Sequence, residues 1–368
     1  MVTGMVTVTV TVTVTVTVRV RVRVTVMVRV RVTVRVTVRV RVTVMVMVRG
    51  ELAKVNTFRK VRLAYALKFR TTDASSILYK IRNGKGYAME FDFNQQATAN
   101  RLLKVVLETI VADLKKSVKG QKIFLPENIT YALPVSEKQF TGDFPSGTFV
   151  SIPKDMIFGI HWENTKGNRI DLDLALLNHQ GKIGWDGGYR SEAGKILFSG
   201  DLTDAPMPKG ATELFYVKRQ GKNASIMTVN FYNFYDTEGV EVPLKIVVGH
   251  GTPKSFRKGY ILDPNSVLAI ARTSISQQQK TLGLLVTTTK ECRFYFTEVA
   301  LGRSISSSNS EAVVHTRNYL FDFYENTIGM RDLLKKAGAK FTTKRDKCDI
   351  DLSPETIEKD TIINLLRG

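Results

Sequence analysis

The chain has 368 residues, 54 Lys+Arg against 34 Asp+Glu, and a formal net charge of +20 at pH 7. Nine of those charges lie in the first 50 residues, so the remaining 318 carry only +11 and are not histone-like. No run of about 18 apolar residues predicts a membrane-spanning helix, and the scattered His161, His179, His250 and His315 lack the spacing of a histidine-based zinc enzyme.

The first 50 residues hold 23 Val, 11 Thr, 9 Arg and 5 Met, with two Gly and neither acid nor Pro. From Val6 to Val48 every even position is Val, the period-two pattern of a half-buried strand. One strand of that length would exceed about 130 Å, whereas globular strands run about 3–10 residues. Between Met5 and Arg49 there is no Gly, Pro, Asn or Asp to fold it back. Thr, Met and Arg share codons that differ only at the middle base. The segment therefore reads as a low-complexity Val-x repeat, translated from a simple DNA repeat, with Met45 or Met47 as alternative starts. It does not have the pattern of a signal peptide.

Residues 56–70 predict a basic amphipathic helix, with Phe58, Val61, Leu63, Ala64, Leu67 and Phe69 apolar and its Arg and Lys side chains solvated. Ile77–Arg82 and Tyr87–Phe93 flank Asn83-Gly84-Lys85-Gly86, a hairpin signal. Gln95 to Val118 follows as a long helix, because Ala99, Leu103, Val106, Ile110 and Leu114 recur at 3–4 spacing. Gly120 stops it. From Lys122 to Val248 short β runs alternate with turn signals, the texture of a sandwich or barrel. More strands are expected over Val267–Arg272, Leu282–Thr288 and Arg293–Val299. Ser304–Ser310 reads as a loop and Tyr319–Lys336 as a helix before Gly338. Ser353 and Pro354 predict an N-cap and first helical position for Glu355–Leu366.

These elements predict an α+β fold: a central, mostly antiparallel β-sandwich with flanking α/β segments. The expected organisation is a repeat over 1–50, a helix–hairpin–helix segment over 51–125, the sandwich over 126–250 and an α+β extension over 251–368. Cys292 and Cys348 are isolated in sequence, as free thiols in a reducing cytoplasm would be.

Residues 144–217 carry the most specific signals. Arg169-Ile-Asp171-Leu-Asp173-Leu reads as a strand containing an Asp-Leu-Asp motif. Ser199-Gly200-Asp201-Leu-Thr203 follows a β run, and Gly210-Ala-Thr-Glu213 precedes the strand Leu214–Lys218. This stretch resembles the tellurium-resistance, TerD-like stress-protein family of bacteria. The resemblance implies a cytoplasmic β-sandwich, calcium binding by clustered Asp side chains, a non-enzymatic role in stress or tellurite resistance, and partners among other stress-system proteins. Where such proteins often carry a loop rich in Asp and Gly, this chain has Asp204-Ala-Pro-Met-Pro-Lys-Gly210, with one acid and one Lys. Fewer ligands imply a weak site, or a loop turned to protein interaction.

The residues themselves allow the same reading, although an Asp-Leu-Asp run alone is common. Asp171 and Asp173, at i and i+2, share one strand face, and like charges there repel unless a cation or a basic partner lies between them. Ca²⁺ takes 6–8 oxygens. Asp186, Asp201, Asp204 and Glu213 would add ligands if they converge. The plainer alternative is that Asp171 or Asp173 pairs with Arg169 or Lys182, or faces solvent. Trp162 and Trp185 read as core packing, and Tyr189 and Arg190 as part of a turn on Gly187-Gly188. Two other function classes fit the sequence less well. Basic segments 54–70 and 331–347 suit a nucleic-acid or phosphate-associated protein, but acids are interleaved and no nucleic-acid motif occurs. A hydrolase finds no Gly-x-Ser-x-Gly or comparable motif.

Overall fold

The computed structural model describes residues 47–72, 76–82, 85–90, 93–178, 181–237, 239–298, 321–322 and 324–367. The Val-x repeat up to residue 46, the turn residues Asn83 and Gly84, the loop Ser304–Ser310, His179 and His315 lie outside the described residues. The chain divides into two compact units, Met1–Val55 and Asn56–Gly368. In the first, residues 47–53 form a helix.

Helix α1 (Thr57–Phe69) begins where the Asn56 side chain accepts from the Phe58 N–H. Its apolar stripe is buried, but its basic face is not wholly solvated. Lys60 is 1% exposed, and its Nζ lies 2.5 Å from Asp113 Oδ2 on the next helix. Leu63, expected on the apolar face, is exposed. Strands β1 (Ser76–Arg82) and β2 (Lys85–Glu90) form the antiparallel hairpin. Helix α2 (Gln96–Val118) buries Ala99, Leu103, Val106, Ile110 and Leu114, as the 3–4 spacing requires. It ends before Gly120, whose φ of 83° lies in the left-handed region.

The β-rich part follows in chain order: β3 (Lys122–Phe124), β4 (Ile129–Thr130), β5 (Phe140–Thr141), β6 (Phe144–Pro145), β7 (Phe149–Ile152), β8 (Met156–Trp162), β9 (Leu172–Leu177), β10 (Lys182–Gly184), β11 (Ile196–Phe198), β12 (Ala211–Val217), β13 (Asn223–Phe231), β14 (Val242–His250), β15 (Val267–Ile275), β16 (Gln279–Thr287) and β17 (Cys292–Phe296). Helix α3 (Met330–Lys336), β18 (Lys340–Thr342), β19 (Ile350–Asp351) and helix α4 (Lys359–Arg367) complete it. The fold is α+β.

Two antiparallel sheets dominate. One has seven strands in the order β10-β9-β13-β16-β17-β7-β4, and the other five in the order β11-β12-β8-β14-β15. Their apolar side chains meet: the Phe158 ring of β8 lies 4.8 Å from Phe294 of β17 and 5.8 Å from Phe215 of β12. Strands on either side of residue 250 pair with one another, β14 with β15 and β13 with β16, so pairing is continuous across that expected boundary. A small sheet, β18-β3-β19, pairs parallel strands drawn from both ends of the unit.

Two terminal expectations shift. Residues 326–329 are not helical, and α3 starts at Met330, after Gly329. The Ile328 N–H instead donates to the buried Tyr65 hydroxyl. Ser353 does not cap a helix at 355. Its hydroxyl bonds Asp351 Oδ1 at 2.6 Å, residues 354–356 form turns, and α4 begins at Lys359. A neighbouring carboxylate has taken the capping group.

Candidate metal centre

Strand β9 places the first two carboxylates. It runs between β10 and β13, and all six of its residues are buried. The alternation that puts Leu172 and Leu174 on one face therefore does not leave Asp173 in solvent: Asp173 is 3% exposed. Asp171, just before the strand, is 6% exposed. Its N–H donates to Asn233 Oδ1 and its carbonyl accepts from the Tyr232 N–H, which fixes the strand entry.

The third carboxylate comes from the other large sheet. Asp201 lies in the β11–β12 connection, after Gly200, whose φ of 117° only glycine adopts readily. Glu213 on β12 ties this connection to β9. Its Oε1 accepts from the Leu202 N–H at 2.7 Å, and its Oε2 from the Leu174 N–H at 2.8 Å. One fully buried side chain thus joins the two sheets beside the cluster.

Asp171, Asp173 and Asp201 each offer a carboxylate oxygen, and the three lie within 4.8 Å of one another. Two oxygens bound to one Ca²⁺ at 2.3–2.6 Å are at most about 5 Å apart, so this spacing is compatible with a shared divalent cation. Asp171 Oδ1 and Asp201 Oδ1 are buried with no hydrogen-bond partner. Unpaired buried oxygens are unfavourable. Asp173 Oδ2 accepts from Asn230 Nδ2 at 3.0 Å. Arg169 approaches Asp171 Oδ2 only to 3.8 Å, from an exposed position.

The charge state reflects this crowding. Burial, reinforced by Asp201, pushes the Asp171 carboxyl from 3.8 to about 6, with Arg169 pulling back. Burial pushes Asp173 to about 7; the Asn230 amide opposes it, while Asp171, Asp201 and Asp186 add to it. Glu213 is also pushed up by burial, and its two N–H donors pull it down.

Of the six acids singled out in the sequence, three converge. Asp186 pairs with Lys182 at 2.5 Å, and Asp204 Oδ1 accepts from Asn164 Nδ2 at 2.9 Å. Glu213 has both oxygens committed to backbone N–H groups. Asn230, Asn164 and Asn233 escaped the sequence reading. An Asn carries no charge signal, and only pairing of β13 with β9 brings Asn230 opposite Asp173. Trp162 packs in the core as expected, 1% exposed, with its indole N–H donating to the Ile170 carbonyl.

No protein-family model and no curated protein matches the chain. Among solved structures, it is similar to the crystal structure of a protein of unknown function, SAV2460, at 14% identity and a TM-score of 0.28. That match covers 44% of this chain and 96% of the other. Among the described residues no helix is long and apolar enough to cross a membrane.

Proposed function

We propose that this chain is a calcium-binding β-sandwich protein of the tellurium-resistance, TerD-like type, acting by binding rather than catalysis in a bacterial stress response. In this reading the seven- and five-stranded sheets are the two layers of the sandwich, and Ca²⁺ bridges them. The cytoplasm and stress-system partners follow from the same resemblance.

One observation carries the metal part. Two unpartnered, buried carboxylate oxygens and a third carboxylate converge from both sheets. A divalent cation relieves their repulsion and supplies the missing partner. Asp171, Asp173 and Asp201 hold it, with solvent oxygens completing the shell. Asp186 and Asp204 add negative field from further out, since they raise Asp173 and Asp171 respectively. Glu213 serves as a strut that sets the spacing.

The test is a thermal-shift titration of the full chain with Ca²⁺ after chelation. A site filled to 100 times its dissociation constant stabilises by about 2.7 kcal/mol. The expected result is a saturable rise in melting temperature at pH 8. No rise at millimolar Ca²⁺, with Asp171→Ala equally silent, refutes the metal part.

A further inference from the structure

A concavity of about 420 Å³ adjoins the acidic cluster and shares Asp201 with it. Arg190, Arg257 and Lys258 line it, together with the rings of Tyr189 and Phe256. The three basic side chains are exposed, and among the described residues none is ion-paired with a carboxylate. Three free cations around one hollow, beside a buried acidic cluster, form a site with a polarity of its own.

The walls are held in place. The Phe198 N–H donates to the Tyr189 carbonyl at 2.8 Å, and the Tyr189 ring stands edge-on to Phe198 at 5.3 Å. Ser199 is clamped to β12: its N–H donates to the Leu214 carbonyl, and its hydroxyl accepts from the Leu214 N–H. Lys258 crosses over Gly200, where an added Cβ would come within 3.3 Å of Lys258 Cβ. Phe256 is anchored between Tyr216 at 5.8 Å and Tyr260 at 5.0 Å. The cations therefore sit on backbone tied into the sheet and its loops, and two aromatic residues belong to the same lining.

We infer that this hollow binds a phosphomonoester carried on a flat ring, and that Ca²⁺ in the adjacent acidic cluster strengthens the binding. A monoester is close to a dianion above pH 7 and presents three acceptor oxygens. Arginine forks and a lysine ammonium match that charge and geometry. Tyr189 and Phe256 offer the ring faces or edges for stacking. Without a cation, Asp201 repels the phosphate; with one, the cluster's negative field is largely cancelled. Coupling between the two ligands must be reciprocal. This second half rests on the calcium reading above, whereas the anion site stands without it.

The experiment is calorimetric titration of the full chain at pH 7.5 with phenyl phosphate, inorganic phosphate and phenol, each in chelator and in Ca²⁺. Phenyl phosphate is expected to saturate one site at least fivefold more tightly than inorganic phosphate, and phenol not to saturate. The double variant Arg257→Ala/Lys258→Ala loses at least tenfold in affinity while keeping its Ca²⁺-induced thermal shift. Ca²⁺ tightens phenyl phosphate at least threefold in the unmodified chain. No saturation by phenyl phosphate under either condition, or undiminished affinity in the double variant, overturns the anion site. A Ca²⁺ thermal shift without any change in phosphate affinity overturns the coupling. Loss of the thermal shift with phosphate binding intact removes the calcium reading and the coupling, and leaves the anion site standing.

Discussion

Replacing Asp171 by asparagine removes one charge from the cluster while keeping the shape of the side chain. In the cation-free protein this should stabilise the fold at pH 8. Holding the Asp171 carboxyl at about 6 instead of 3.8 disfavours its charged form by about 3 kcal/mol. Among the described residues the ionic attraction lost is the 3.8 Å approach of Arg169, whose side chain is 59% exposed. Such a surface pair contributes less than about 1 kcal/mol. Allowing for solvent screening, the expected gain is about 2 kcal/mol, a rise in melting temperature of about 2–6 °C.

The pH dependence fixes the sign. Asp171 and Asp173 have folded values raised above 3.8, so between pH 4 and 7 the native state binds more protons than the unfolded chain. Unfolding free energy then falls as pH rises through that window. Asparagine mimics the protonated form at position 171. The advantage of Asp171→Asn should be small at pH 4, where the unfolded chain is also partly protonated, about half its full size at pH 5, where only the unfolded chain is largely ionised, and full at pH 8. Ca²⁺ should reverse the order at pH 8, because only the unmodified chain gains the full binding energy. Thermal unfolding at pH 4, 5 and 8, in chelator and in Ca²⁺, reads all of this. A variant destabilised equally at every pH, or stabilised by Ca²⁺ as much as the unmodified chain, refutes the reasoning.

The pair Lys60–Asp113 predicts an asymmetry. Asp113→Ala leaves an ammonium that is 1% exposed without its counter-charge, and should destabilise by about 3–5 kcal/mol. Lys60→Met should be milder, because Asp113 is 18% exposed and keeps its bond from the Thr57 hydroxyl; denaturant unfolding compares the two, and equal losses would contradict the argument. Gly159→Ala in the central strand β8 should destabilise by about 3 kcal/mol, since its Cβ would lie 1.9 Å from the Glu213 carbonyl oxygen. Circular dichroism melts check this, and an unchanged melting temperature would mean that β8 and β12 do not approach so closely.

What the sequence makes legible is local. The 3–4 spacing of α2 names its buried face residue by residue, because a helix translates spacing directly into orientation. The i, i+2 spacing of Asp171 and Asp173 likewise places both at one edge of the cluster. Period-two reasoning reaches no further, since it does not say whether a face is covered. Strand β9 is buried on both faces, and that depends on pairing with β13 and contact with the β11–β12 connection, both distant in sequence. Ser353 shows the same limit at a helix end: its hydroxyl fits a cap, but Asp351 lies two residues away and binds it first.

The acids make the point most sharply. Glu213 and Asp201 are twelve residues apart in sequence and both border the cluster, yet their roles diverge. Two backbone N–H groups reach Glu213, so its oxygens are satisfied and it holds β9 against the β11–β12 connection. No donor reaches Asp201 Oδ1 or Asp171 Oδ1. Residue type is the same in chemical kind; the supply of donors differs, and that supply is set by strand register across two sheets. A carboxylate with N–H donors becomes a strut, and one without them keeps an unpaired buried oxygen, whose partner the proposed cation would supply.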